Sequence, residues 1–135
     1  MSDKAIEQEI QAKGLTAPRV TPQRINDVIA EEHYFTGYHG ALMSVGAEKW
    51  RNAQTFGGDP EGIPDALKLL TFCVLVLKNG FTVTGESACA SPENFDPDLG
   101  RKIARENAIN KSWALEGYLL KQQLHDNKYI QLPTS

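Results

Sequence analysis

The chain has 135 residues, a length that fits one domain with a single hydrophobic core. Its formal net charge of −3 and sequence pI of about 5.6 argue against a dedicated nucleic-acid-binding protein, which usually presents a basic face. No apolar run approaches the roughly 18 residues of a membrane-spanning helix, and the first residues lack the apolar core of a signal peptide. We therefore expect a single-domain cytoplasmic protein that binds neither nucleic acid nor a membrane.

The first third of the chain predicts two helices. Residues 2–13 carry a weak helical pattern, so residues 1–20 are interpreted as a flexible or helical N-terminal arm. A firmer helix is expected to start at Thr21 and Pro22, because threonine is a good N-cap and proline fits the first helical position. Its apolar stripe predicts that this second helix runs to about His33.

Residues 34–66 show no regular period, since glycine and proline interrupt the sequence repeatedly. They predict a long loop with a short helix at residues 47–53. The segment 34–56, which we call the aromatic loop, is rich in rings: Tyr34, Phe35, Tyr38, Trp50 and Phe56. Because long loops in compact domains are usually functional, disordered or misassigned, the aromatic loop is interpreted as a segment that folds over a ligand or a partner.

Residues 69–90 predict the β-hairpin on which the fold is built. Two β-rich runs flank Asn79-Gly80, the dipeptide that best supplies a two-residue type I′ turn. Such a turn would place Val76 opposite Val83 in an antiparallel pair. The first strand is apolar on both faces, which predicts a central strand covered on both sides. One sheet face then combines an apolar strand with a polar neighbouring strand. This pattern fits a half-buried sheet, a subunit interface or the floor of a ligand-binding site.

The C-terminal third predicts one long helix. Asp96 is a good N-cap and Pro97 fits the first helical position, so the helix is expected to run from Pro97 to about His125. Gly117 lies on its apolar seam and predicts a kink or a close contact, and residues 126–135 are expected to form a polar tail. The expected fold class is therefore α+β: an antiparallel sheet built on a central Asn-Gly hairpin, packed with an N-terminal helix and a long C-terminal helix.

No catalytic or metal-binding signature stands out. His33 and His39 are six positions apart, whereas the helical zinc motif H-E-x-x-H needs two histidines four apart, and Glu86 is the remaining scattered acid–base group. Cys73 and Cys89 point to opposite faces of the predicted hairpin, so they are expected to be free thiols. The sequence thus predicts that the protein is not an enzyme and has no metal site and no cofactor.

The strongest functional candidates are side chains that could bind a ligand. Arg101 and Arg105 are one helical turn apart, and two guanidinium groups on one face suit a phosphate or pyrophosphate, with Arg24 as a third candidate. Phe81 can stack on a base, and Asn94 can hydrogen-bond to a base edge. Each has an ordinary structural alternative: surface ion pairs for the arginines, a core position for Phe81 and a loop-holding role for Asn94.

Residues 70–120 resemble the small tailed-phage proteins of the gene-49/gene-66 type. The similarity is carried by the run from Asn79 to Phe95, by GRKIA at residues 100–104 and by WALEGY at residues 113–118. The N-terminal half matches more loosely, through EEHYFT and GAEKW. The chain is also similar to a phage anti-defence family, the Thoeris inhibitors that act as sponges for an immune signal.

The second resemblance implies a function. Such a sponge binds a cyclic ADP-ribose isomer, and in some members cyclic oligonucleotides, and holds the ligand uncleaved in pockets between the subunits of a dimer or hexamer. For this chain it implies a cyclic nucleotide ligand, a homo-oligomer in the host cytoplasm, and ligand contacts from Arg24, Phe81, Asn94, Arg101 and Arg105. Two alternatives stay open: an accessory protein that binds a host protein through the aromatic loop, and an enzyme that cleaves the signal.

Overall fold

The computed structural model describes residues 3–15, 17–52 and 62–130. The predicted α+β class is confirmed, with a three-stranded antiparallel sheet and a long C-terminal helix. The elements in chain order are α1 (Asp3–Ala12), α2 (Pro22–Asp27), β1 (Ile29–Thr36), α3 (Gly37–Asn52), β2 (Leu70–Leu77), β3 (Thr82–Ala88) and α4 (Pro97–Ile130). Short 3-10 turns, at Asp65–Leu69 and Pro92–Asn94, precede β2 and α4.

The strand order is β1-β2-β3, so β2 is the central strand, as predicted. Burial alternates along β2, and every second side chain is buried against α4, as the two-residue period of a strand requires. The core combines these side chains with small residues of α4 and apolar residues of neighbouring elements: Val28, Cys73, Leu75, Leu77, Val83, Ala104 and Ala108. The helix α4 therefore covers one face of the sheet.

Gly85 in β3 determines how closely α4 approaches the sheet. A Cβ atom built on Gly85 would lie 2.2 Å from the carbonyl oxygen of Ala104 and 2.3 Å from the backbone nitrogen of Ala108. Real Cβ atoms essentially never approach other atoms this closely, so the α4 backbone rests directly on the β3 backbone. Ala104 and Ala108 are fully buried at this crossing, and only small side chains fit there.

The predicted register between β2 and β3 is wrong by one residue. Leu75, not Val76, lies opposite Val83. Three residues rather than two separate the last hydrogen-bonded pair, because the N–H of Leu77 donates to the Phe81 carbonyl at 2.8 Å; within this turn Gly80 has a φ of +89°. The physical reason is burial, because this register places Val83 on the same face as Leu75, beneath α4.

The corrected register changes the second face of β2. Phe72, Val74 and Val76 point away from α4 and are only half-buried, so the prediction that β2 is covered on both sides is wrong. The corrected register no longer supports the argument that Cys73 and Cys89 point to opposite faces. Both cysteines are nevertheless free thiols, as predicted.

The second predicted helix is correct at its start and wrong at its end. Thr21 is the N-cap, and its hydroxyl oxygen accepts a hydrogen bond from the N–H of Arg24 at 3.1 Å. The helix ends at Asp27 instead of His33, and the following residues form β1. The segment from Ile29 becomes a strand because pairing with β2 satisfies its backbone groups, a gain that a local helical pattern does not reveal.

The long loop predicted for residues 34–66 is also wrong where the structure describes it. Residues 34–36 belong to β1, and the chain turns directly into α3 at Gly37. The short helix predicted at 47–53 falls within α3, apart from Ala53, which lies outside the described residues. Residues 53–61 of the predicted loop are likewise outside the described residues.

The predicted start of the C-terminal helix is confirmed. The Asp96 carboxylate accepts hydrogen bonds from the backbone N–H groups of Asp98, at 3.0 Å, and Leu99, at 3.3 Å. The helix continues to Ile130, beyond the predicted end at about His125. The close contact predicted at Gly117 is wrong, because no atom lies within 4 Å of a Cβ built there.

The N-terminal arm packs on its own chain. In α1, the Glu7 carboxylate accepts a hydrogen bond from Nη2 of Arg19 at 2.6 Å and makes a second contact with Nη1. The Trp113 indole N–H donates to the Asp3 carboxylate at 3.1 Å, which ties the start of α1 to α4. The arginine lowers the pKa of Glu7 to about 2, so this pairing persists into acidic solution.

Candidate functional site

A cavity of about 450 Å³ lies at the end of the sheet where β1 ends and β2 begins. Its volume falls within the roughly 300–1,000 Å³ typical of small-molecule sites. The lining comes from β1, α3, the 3-10 turn before β2, β2, and the segment that enters α4: Tyr34, Phe35, Thr36, Tyr38, His39, Lys68, Thr71, Phe95, Pro97 and Arg101. The cavity thus collects aromatic and cationic side chains from segments far apart in the sequence.

Two local features hold the walls of the cavity together. The Thr36 hydroxyl accepts a hydrogen bond from the N–H of His39 at 3.1 Å, which fixes the first turn of α3 against the end of β1. On the other side, a Cβ built on Gly100 would lie 3.0 Å from Oγ1 of Thr71, so the start of α4 packs tightly on β2. This close packing places Arg101, one residue further along α4, at the rim of the cavity.

The two cations of the cavity are held by weak surface pairs. Nζ of Lys68 lies 3.2 Å from the Asp65 carboxylate, and Nη1 of Arg101 lies 3.1 Å from the Asp98 carboxylate. All four side chains are more than half exposed, and such pairs contribute roughly 0–1 kcal/mol. An incoming phosphate can therefore take the place of either carboxylate at little cost.

Aromatic rings form the other part of the lining. Phe35 stacks on Phe72, with ring centroids 5.5 Å apart, and Nζ of Lys68 lies 4.9 Å from the centroid of the Tyr38 ring. Phe95 lines the cavity from the segment before α4. Flat rings next to cations suit a ligand that combines an aromatic base with phosphate.

Tyr34 connects the cavity to a hydrogen-bond network beneath it. Its hydroxyl donates to the Glu32 carboxylate at 2.7 Å, and Nε of Arg105 donates to the same oxygen at 2.8 Å. Burial, followed by the bond to Glu32, raises the pKa of Tyr34, so the hydroxyl stays protonated and remains a donor. The bond from Arg105 lowers the pKa of Glu32, and burial raises the pKa of the Cys73 thiol.

The three arginines predicted from the sequence lie in different environments. Arg101 lines the cavity, whereas Arg105 bonds to Glu32 through both Nε and Nη2. Arg24 lies near the opposite end of β2, where its Nε donates to the Glu116 carboxylate at 3.2 Å beside a separate cavity of about 290 Å³. The structure therefore does not bring these guanidinium groups to one site.

Phe81 and Asn94 also lie outside the lining of the cavity. Phe81 follows the loop after β2 and is 54% exposed, so it is not a core residue. Asn94 ends the 3-10 turn before Phe95, and its N–H donates to the Ser91 carbonyl at 3.1 Å, in keeping with a loop-holding role. Ligand contacts by these two residues stay predictions.

Sequence reasoning missed most of the lining. Tyr38 and Phe35 stood out as aromatic, but they were assigned to a loop, and no local signal marked Lys68 or Phe95 as neighbours of Arg101. A cavity lined by segments that are distant in the chain has no sequence signature, because only the folded sheet brings the ends of β1 and β2 to the start of α4.

The described residues contain neither a metal-binding cluster nor a membrane-spanning helix. No cluster of three or more His, Cys, Asp or Glu side chains within residues 3–15, 17–52 and 62–130 is arranged to hold a metal ion. Within the same ranges, no helix has the length and apolarity needed to cross a membrane.

Comparison with known proteins places the chain in a family. The model of the phage protein (N4 Gp49/phage Sf6 gene 66) family matches residues 20–124, which span α2 to most of α4. Comparison with curated proteins and with solved structures gives no significant match. Because the family match covers most of the sequence, this chain belongs to the phage protein (N4 Gp49/phage Sf6 gene 66) family.

Proposed function

We propose that this phage protein is an anti-defence sponge, which binds a cyclic nucleotide immune signal in the host cytoplasm and holds it without breaking a bond. The supporting observation is the cavity of about 450 Å³ in which aromatic rings stand beside two weakly paired cations, Lys68 and Arg101. The rings can stack on a base, and the cations can bind the phosphates. A cyclic ADP-ribose isomer offers both groups, and so does a cyclic oligonucleotide.

The affinity that sequestration needs supports a homo-oligomer as part of this proposal. Nanomolar binding corresponds to about −12 kcal/mol. One stacked base and two charge-assisted bonds to phosphate supply roughly 4–9 kcal/mol before the cost of ordering the ligand is counted. A second subunit that closes the cavity would provide the remaining contacts, as in a dimer or hexamer.

The C-terminal half of α4 is the part of the surface we propose for contact between subunits. Several large apolar side chains along its C-terminal half are exposed, and Tyr118 is 74% exposed: Leu115, Tyr118, Leu119 and Leu124. Exposed apolar residues that cluster on one element often mark a protein interface. Light scattering at low and high protein concentration tests this part of the proposal, and a monomer at all concentrations would contradict it.

The proposal differs from enzymatic cleavage in the fate of the ligand. His39 lines the cavity and is the lining side chain best suited to act as a general base. A sponge returns the signal intact after incubation, whereas an enzyme consumes it. Recovery of the ligand therefore distinguishes the two functions directly.

The experiment is a thermal-shift screen of the purified protein with cyclic ADP-ribose isomers and cyclic di- and trinucleotides, followed by chromatographic analysis of the recovered ligand. A ligand at about a hundred times its Kd adds roughly 2.7 kcal/mol to the free energy of unfolding. For a chain of this size that raises Tm by about 10 °C. A flat response across the panel would refute sequestration of these ligands, and a shift with consumed ligand would indicate an enzyme.

Matched variants locate the site. Arg101→Ala should weaken binding by roughly 10- to 100-fold, because it removes a charge-assisted bond to phosphate. Arg24→Ala removes the same group near the opposite end of β2 and should leave affinity unchanged if the ligand occupies the cavity. The reverse result would place the ligand beside Arg24 and Glu116 instead.

A further inference from the structure

The face of the sheet that points away from α4 has an apolar centre. Phe72, Val74 and Val76 project from the central strand on this side, and all three are half-buried. Phe35 of β1 stacks on Phe72 and is 40% exposed, which extends the apolar surface toward the edge of the sheet. We call this surface, together with the strand residues beside it, the open sheet face.

Two exposed carboxylates stand at opposite corners of the open sheet face. Glu31 of β1 lies beside Val76, and Glu86 of β3 lies beside Phe72. The other flanking positions next to Val74 hold His33 and Thr84. His33 pairs with Glu31 at 3.0 Å, and no lysine or arginine flanks these three residues of β2 in the observed register.

We infer that the open sheet face binds a helix of another protein that carries an apolar stripe between two basic residues. Neighbouring strands lie about 4.8 Å apart and successive residues about 3.4 Å apart, so the corners Glu31 and Glu86 are separated diagonally by about 17 Å. A helix rises about 1.5 Å per residue, so a span of 17 Å corresponds to about eleven residues. Positions eleven apart lie on the same face of a helix, with room for apolar residues between them.

The charges of this chain argue against a second copy as the occupant. Two open sheet faces packed together would bring four carboxylates together with no lysine or arginine beside Phe72, Val74 and Val76 in the observed register, which is costly. Within the described helices, no two lysine or arginine residues are eleven positions apart, so these helices do not supply the matching pattern. The carboxylates also repel the phosphates of RNA, although aromatic sheet faces bind RNA in other folds.

The test uses a labelled synthetic helical peptide with two lysines about eleven positions apart and leucines four and seven positions after the first, read by fluorescence anisotropy. A control peptide carries glutamate in place of both lysines. The intact protein should bind the lysine peptide, and salt should weaken this binding. Equal affinity for the two peptides, or no binding of either, would overturn the inference.

Charge reversal on the protein makes the test specific. In the Glu31→Lys/Glu86→Lys variant, affinity for the lysine peptide should fall roughly tenfold or more, and the glutamate peptide should become the tighter ligand. Glu106→Lys/Asp126→Lys makes the same change in net charge at exposed positions on α4, and it should leave the peptide preference unchanged. Equal effects of the two variants would show only a general electrostatic attraction and would overturn the inference.

Two further readouts exclude the other occupants. If the Glu31→Lys/Glu86→Lys variant dissociates an oligomer in light scattering, the face is an interface between copies and the inference is wrong. Preferential binding of a single-stranded RNA oligomer over the lysine peptide would also overturn it. The thermal shift caused by a cyclic nucleotide should be the same in this variant as in the unmodified protein, so this inference and the proposed function fail independently.

Discussion

Gly85→Ala should destabilise the protein more than an ordinary surface substitution, because the new methyl group has no space. It would lie 2.2 Å from the Ala104 carbonyl oxygen, 2.3 Å from the Ala108 nitrogen and 3.0 Å from the Ala108 Cα. All three atoms belong to the backbone of α4, so no side-chain rotation relieves the clash. The helix must move away from β3, and its buried contacts with the sheet loosen.

The expected cost follows from the packing. Inserting extra methyl groups into a well-packed core costs typically 1–3 kcal/mol, and a clash with a rigid backbone belongs at or above the upper end. About 3 kcal/mol corresponds to a Tm lowered by about 10 °C for a chain of this size. Thermal unfolding followed by circular dichroism measures the change.

The same substitution at Gly117 serves as the matched control. A Cβ at Gly117 meets no atom within 4 Å, and alanine is favoured over glycine in a helix by roughly 1 kcal/mol. Gly117→Ala should therefore raise Tm by about 3 °C. A Gly85→Ala protein that melts within about 2 °C of the unmodified protein would refute the direct contact between α4 and β3.

Three more predictions follow from local contacts. Asp96→Ala removes the N-cap of α4 and should cost about 1 kcal/mol, whereas Asp96→Asn should cost much less, as measured by urea denaturation. Glu32→Gln should destabilise the protein near neutral pH and have little effect in strong acid. The lowered pKa of Glu32 in the folded protein contributes stability above its ordinary pKa of 4.5, and this stability is lost as the pH falls. A destabilisation that does not change with pH would contradict this. Arg19→Ala should release α1 and shift the emission of Trp113 to longer wavelength in a Trp50→Phe background, and an unchanged spectrum would argue against the docking of α1.

The cavity and the open sheet face are adjoining surfaces that share Phe35. Arg101 and Lys68 lie at the end of the sheet near the start of α4, whereas Glu31 and Val76 lie toward the opposite end of β2. A small ligand at the first surface and a helix at the second can therefore be tested with different variants.

The sequence by itself determined the features that depend on residues close together in the chain. The caps at Thr21 and Asp96 were predicted correctly because the hydrogen bonds that start a helix join residues two or three positions apart. The central place of β2 was also predictable, since apolar residues on both sides of a strand are unusual outside the middle of a sheet. Arg101 was identified as a candidate phosphate-binding group in the first part of the long helix, but its neighbours in the cavity were not predicted.

Strand β1, the register of β3 and the cavity were decided only by the tertiary structure. Residues 29–36 became a strand because the edge of β2 was available to pair with them, and the register of β3 slipped by one residue because Val83 and Gly85 had to face α4. The cavity exists because this arrangement brings the ends of β1 and β2 to the start of α4, so that Lys68 and Arg101 line the same cavity. Long-range pairing and close packing depend on partners distant in the chain, and no local pattern of residues contains that information.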